Sequence, residues 1–146
     1  MKTNSLFEIL SFAKTHFLFL GVILLLWLLT LFSRTEAIDF QIHDTYFVLP
    51  FYHLTLLTTI LLGILGLIYW FFPINNLTKW MTIFHVIFTN VPLLLFFIWY
   101  SLPSDELNYL VYADAIGRYP LTLCCFLFFL LAQIVFIINL LIGLFK

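Results

Sequence analysis

Among the residues of this 146-residue chain able to hold a metal or move a proton, three fall close together: the neighbours His43 and Asp44, and His53 a little further on. A histidine next to an aspartate supplies one nitrogen and one carboxylate oxygen. That is a start for Mg²⁺ or Mn²⁺, which would need further ligands from elsewhere. The more ordinary role for such a pair is to shape a loop, with Asp44 or Thr45 capping the helix that follows and placing negative charge at its positive end. His53 lies about 10 Å along a helix that begins at Tyr46, which predicts that it is buried near the outer leaflet of a membrane. An unpartnered polar group in hydrocarbon costs several kcal/mol, so an imidazole there must either hydrogen-bond, with Tyr52 and Thr55 in local reach, or ligate a metal. Ionisable groups inside a membrane are functional candidates by default.

A membrane is expected because the chain is 64% hydrophobic and 21% aromatic with only 9% charged residues. A single small globule cannot bury that much apolar surface, so much of it must meet lipid or other proteins. Four stretches are long enough to cross about 30 Å of hydrocarbon: 15–32, 46–72, 80–100 and 120–145. They predict an all-α integral membrane protein, one four-transmembrane-helix bundle over 1–146 with no linker and no internal repeat. Leu31-Phe32-Ser33-Arg34 offers no clean cleavage site, so the first span is read as a permanent anchor. Lys2, Lys14, Lys79 and Lys146 all fall on one side of that arrangement. By the positive-inside rule both termini are then cytoplasmic, and the expected location is the bacterial inner (cytoplasmic) membrane. A formal net charge of -1 with no basic patch gives no reason to expect nucleic acid. Cys124 and Cys125 are adjacent in an apolar run and read as small apolar filler.

The remaining polar residues have packing roles to hand. His16 and His85 fall near the cytoplasmic ends of their spans, offset in depth from His53 by roughly a dozen Å, so neither is a good second ligand within one chain. His85, Gln133 and Asn139 are read as hydrogen bonders between helices, and Gly63 and Gly66 with Thr55, Thr58 and Thr59 as a surface for close helix approach. Trp70, Trp80, Trp99, Tyr100 and Tyr119 sit near span ends, where amphipathic rings settle at the headgroups. Pro73-Ile74-Asn75-Asn76 predicts a tight turn that makes the second and third spans antiparallel neighbours. The acidic outer loop 101–118 suits a basic electron carrier or a solvated cap over the bundle equally well.

The string Asp39-Phe40-Gln41-Ile42-His43-Asp44-Thr45-Tyr46-Phe47-Val48-Leu49-Pro50-Phe51-Tyr52-His53 resembles a signature of the cytochrome c oxidase subunit I family, the main subunit of haem-copper oxidases. There it reads roughly D-x-x-x-H-D-T-Y-Y-V-V-A-H-F-H. The order of elements around it is also similar to the last four helices of that family. The resemblance implies that His53 corresponds to an axial ligand of the low-spin haem. It also implies that His43 and Asp44 correspond to a pair at a Mg²⁺ or Mn²⁺ site, completed in the family by groups from elsewhere. Phe51 falls where the family has the ligand of the high-spin haem, and phenylalanine cannot ligate iron. The copper ligands and the partner histidine of the low-spin haem belong to earlier helices that this chain does not contain. Pro50 removes a helix N–H in the turn before His53 and bears on where that helix begins.

The resemblance therefore implies a chain that is not an enzyme on its own: a non-catalytic, oxidase subunit I-like integral subunit of a larger respiratory complex, partnered by other membrane subunits and lipid. One alternative is a small haem-binding electron-transfer protein using His53 as axial ligand. A homo-oligomer would then bring two copies of His53 to the same depth. The other is a membrane scaffold or assembly protein without a cofactor.

Overall fold

The computed structural model describes residues 15–33, 37–42, 45–72, 76–101 and 111–145, with the backbone alone for 39–42, 46 and 111–119. Four helices are long and apolar enough to cross a membrane, over Thr15–Phe32, Phe51–Phe71, Lys79–Ser101 and Pro120–Leu144. They belong to helices α1 (Thr15–Phe32), α2 (Phe51–Phe71), α3 (Lys79–Ser101) and α4 (Val111–Leu144). Between α1 and α2 stand two strands, β1 (Ala37–Ile42) and β2 (Thr45–Pro50).

The described chain is predominantly helical, as expected, and those two strands are its one non-helical addition. They pair antiparallel in register from Ala37 opposite Pro50 to Ile42 opposite Thr45. The second span therefore begins at Phe51, not Tyr46, and neither Asp44 nor Thr45 caps it. Pro50 occupies the N-cap with φ -55° and ψ 134° and no side-chain cap. The physical reason lies in the proline, whose ring disfavours the helical region for Leu49 and keeps the chain extended up to the helix start. The same effect works at the other end of α2. Phe72, which precedes Pro73, is extended (φ -80°, ψ 132°) and donates its N–H to the Ile68 carbonyl.

A second correction concerns the outer loop, half of which is helical. α4 begins at Val111, so Pro120 lies inside it, as Pro92 lies inside α3. A proline inside a membrane helix costs one backbone hydrogen bond, a loss that neighbouring groups can absorb, so it does not mark a boundary there. Residues 102–110, like 73–75 of the expected turn, lie outside the described residues.

α1 lies against both α2 and α3, and α3 lies along α4. Polar rungs fix these pairings. Between α1 and α2, the Trp27 indole N–H donates to Thr59 Oγ1 at 2.9 Å, and the Thr30 and Thr55 hydroxyls meet at 2.6 Å. Thr30 and Thr55 also donate to the carbonyls of Leu26 and Phe51. Two hydroxyl protons thus serve three contacts, and one carbonyl is released whenever the hydroxyls pair. Between α3 and α4, rungs stand at both ends and the middle: Tyr100 with Thr122 (3.3 Å), Gln133 with Thr89 (3.1 Å), and Asn139 with Thr82 (2.9 Å). Asn139 Oδ1 also accepts the Thr78 backbone N–H at 2.9 Å. That donor is unambiguous and fixes the amide orientation. Gln133 and Asn139 are thus the helix-bridging residues expected of them.

The four helices converge on one group of rings, to which each contributes one: Phe19, Tyr69, His85 and Phe136. All four are buried. His85 stacks on Phe136 with centroids 4.4 Å apart and planes 18° apart, and Tyr69 lies 5.8 Å from Phe19 and 5.3 Å from Phe136. Outside this core the helices expose Leu, Ile and Phe along their length, as side chains in contact with acyl chains would be. Near its end, α4 passes so close to the segment between α2 and α3 that a Cβ on Gly143 would meet Phe72 at 3.0 Å and Leu77 at 3.1 Å.

Candidate functional site

The residues singled out for chemistry are not gathered into one place. His43 and Asp44, which separate β1 from β2 in sequence, lie outside the described residues. His53 is described, and it is exposed instead of buried. The helical phase explains this. α2 buries Phe51, Thr55, Thr58, Leu62, Leu65 and Tyr69. His53 is two residues from both Phe51 and Thr55, about 200° around the helix from each, so it points away from the bundle.

Neither expected local partner serves it. Thr55 is engaged with Thr30 and the Phe51 carbonyl, and Tyr52 touches the imidazole only ring to ring, at 4.1 Å and 45°. Because α2 starts at Phe51, His53 stands only about 3 Å inside the helix, at the level where headgroups and water meet the hydrocarbon. Its outward position is therefore tolerated, and among the described residues neither ring nitrogen has a hydrogen-bond partner.

The other two described histidines sit at the far end. His16 packs against Trp70, with centroids 4.7 Å apart, near the end of α2. His85 Nδ1 meets the Tyr69 hydroxyl at 2.8 Å. Along α2 from His53 to Trp70 is about 25 Å, twice the offset expected from the sequence, so the chain cannot bring two histidines to one metal by this route. Among the described residues no three His, Cys, Asp or Glu side chains come together. Phe51 is 1% exposed and packs on Phe97 with centroids 5.2 Å apart.

His85 is the helix-packing hydrogen bonder expected of it. What sequence reasoning missed is its partner, Tyr69, and the rings of Phe19 and Phe136 around the pair. It also missed Trp27, although an indole in the middle of an apolar span needs an acceptor for its N–H and was itself a signal. Cys124 is exposed and Cys125 buried, and both are free thiols, so only Cys125 is filler in the core.

Together these features define a polytopic integral membrane protein. The interior of its bundle is held by polar rungs and stacked rings, and its one outward-facing described histidine lies close to the β1–β2 hairpin. Compared with known protein families, curated proteins and solved structures, the chain matches none.

Proposed function

We infer that the chain is a non-catalytic integral subunit of a larger membrane complex, respiratory in kind. In this reading it has the cytochrome c oxidase subunit I-like character suggested by the string from Asp39 to His53, and it sits in the bacterial inner membrane with both termini cytoplasmic. The observation that carries this reading is the outward-facing His53 on a bundle whose helices are bridged to one another by paired polar side chains. Tyr69 with His85, Thr82 with Asn139, Thr89 with Gln133, Trp27 with Thr59 and Thr30 with Thr55 are all helix-to-helix contacts. Polar groups paired in this way hold helices in register. Phe51 supports the same view, because the position equivalent to an iron ligand is a ring buried against another ring.

The test is purification from native membranes in mild detergent, with the co-purifying chains identified and a reduced-minus-oxidised spectrum recorded. Respiratory subunits at fixed stoichiometry are expected, and a chain that always purifies alone would overturn the reading.

The exposure of His53 also favours a second reading. There a haem is held between His53 of this chain and a ligand from another copy, making an electron-transfer oligomer. A Soret band in the isolated oligomer that disappears in His53→Leu would select this alternative. Metal bound by His43 and Asp44 is tested in the same preparations. Stoichiometric Mg²⁺ or Mn²⁺ lost on replacing both residues with alanine is expected if the pair ligates, whereas unchanged metal content would leave the pair as loop structure in a scaffold.

A further inference from the structure

The hairpin is the one described element that is not a membrane-spanning helix, and its register sorts its residues into two unlike faces. In an antiparallel pair, directly opposed residues share a face. Ile38–Leu49, Phe40–Phe47 and Ile42–Thr45 therefore alternate with Ala37–Pro50, Asp39–Val48 and Gln41–Tyr46. The first set contains no charged residue, and the second contains Asp39. At the base of the apolar set, Ile38 is 3% exposed and belongs to the core of the bundle. Phe47, one pair further along the same face, is 52% exposed. The face thus begins inside the protein and runs out past its edge uncovered.

Connectivity says what lies there. Pro50 leads into Phe51 with no linker, so the base of the hairpin is level with the end of a membrane-spanning helix. Phe47 is only about 7 Å along the strand from Leu49, the partner of the seated Ile38. The headgroup layer extends about 5–8 Å beyond the hydrocarbon on each side, which is the same range. Around that end of the bundle the neighbouring surface is also exposed and largely apolar, with Leu31, Phe32 and Tyr52 on α1 and α2. An isolated two-stranded hairpin is marginal in water and needs its apolar face covered.

We propose that the β1–β2 hairpin is an interfacial anchor, lying over the rim of the bundle with the face that bears Phe47 in the headgroup layer of the bilayer and the opposite face toward water. This goes beyond the subunit reading and does not depend on it. Lipid depth at Phe47 is measured on the chain alone, and it stands or falls whether or not partners are found.

The test uses the full chain with Cys124 and Cys125 replaced by alanine, a single cysteine introduced at Phe47 or Val48, and an environment-sensitive fluorophore attached in phosphatidylcholine vesicles. At position 47, blue-shifted emission, quenching by lipids carrying a nitroxide near the headgroup, and protection from aqueous iodide are expected. At position 48, on the opposite face, iodide quenching should be several-fold stronger. Should labelling at 47 disturb the hairpin, Thr45 on the same face serves instead, with retained helicity as the check. Equal iodide quenching at 47 and 48 overturns the proposal by showing a hairpin standing in water. Protection at 47 without lipid quenching overturns it equally, because protein and not lipid then covers the face.

Discussion

The Tyr69–His85 hydrogen bond is the most direct place to test how this bundle is held. Replacing Tyr69 with phenylalanine leaves His85 Nδ1 without its 2.8 Å partner in a ring whose Nε2 already has none. Replacing His85 with phenylalanine keeps a ring to stack on Phe136 but takes the 2.8 Å partner from the Tyr69 hydroxyl in the core. An unsatisfied buried polar group costs about 1–3 kcal/mol in a folded protein. In lipid the unfolded reference also finds partners, which lowers measured interhelical values to about 0.6 kcal/mol on average and at most about 1.7. Each single variant should therefore lose about 1–2 kcal/mol. The double variant replaces both polar groups with apolar groups of similar shape and leaves nothing orphaned, so its loss should stay below about 1 kcal/mol. The expected coupling is then about 2 kcal/mol, within the range that contacting residues show. Unfolding in mixed micelles of dodecyl sulfate and dodecyl maltoside, followed by helical circular dichroism, measures all four corners of the cycle. A double variant whose loss equals the sum of the singles would refute the reasoning, since the two groups would then be acting independently.

Other perturbations follow from the same contacts. Asn139→Ala strands the Thr78 backbone N–H and breaks the rung to Thr82. It should lower stability by about 2 kcal/mol in the same assay, and a change under about 0.5 kcal/mol would remove Asn139 from the helix contacts that matter. Gly143→Ile drives a branched side chain into Phe72 and Leu77, where even a Cβ is tight. Overpacking of this kind should cost about 1–3 kcal/mol, seen as an earlier unfolding midpoint. Phe51→His places an imidazole at a position that faces the core. The loss of apolar burial with the gain of an unpartnered imidazole should destabilise by about 3–5 kcal/mol and add no Soret absorbance.

The membrane class and the existence of four spans were legible because hydropathy and length report them directly. The start of the second span was not, because Tyr46 to Leu49 are apolar and aromatic, and such a run suits a strand as well as a helix. Pro50 was the one local sign of a boundary. The direction of His53 was readable in principle. In a membrane helix small polar residues tend to face inward, and Thr55 and Thr58 fix a phase that turns His53 away. The pairing of Tyr69 with His85, and of Trp27 with Thr59, depends on how distant helices cross, and no local pattern encodes that. The apolar span from Pro120 was legible, whereas the helical stretch 111–119 ahead of it was not, because a proline within a membrane helix does not mark its start.

The meeting of Phe19, Tyr69, His85 and Phe136 also has a consequence for biogenesis. The rings enter the membrane in chain order, one with each helix, and the last arrives only when α4 does. Until then the flat face of His85 that stacks on Phe136 is open to lipid. With only the first three helices inserted, that face of the His85 ring has no cover from α4. α4, whose apolar span Pro120–Leu144 is only 17% buried, supplies the ring that ends that exposure.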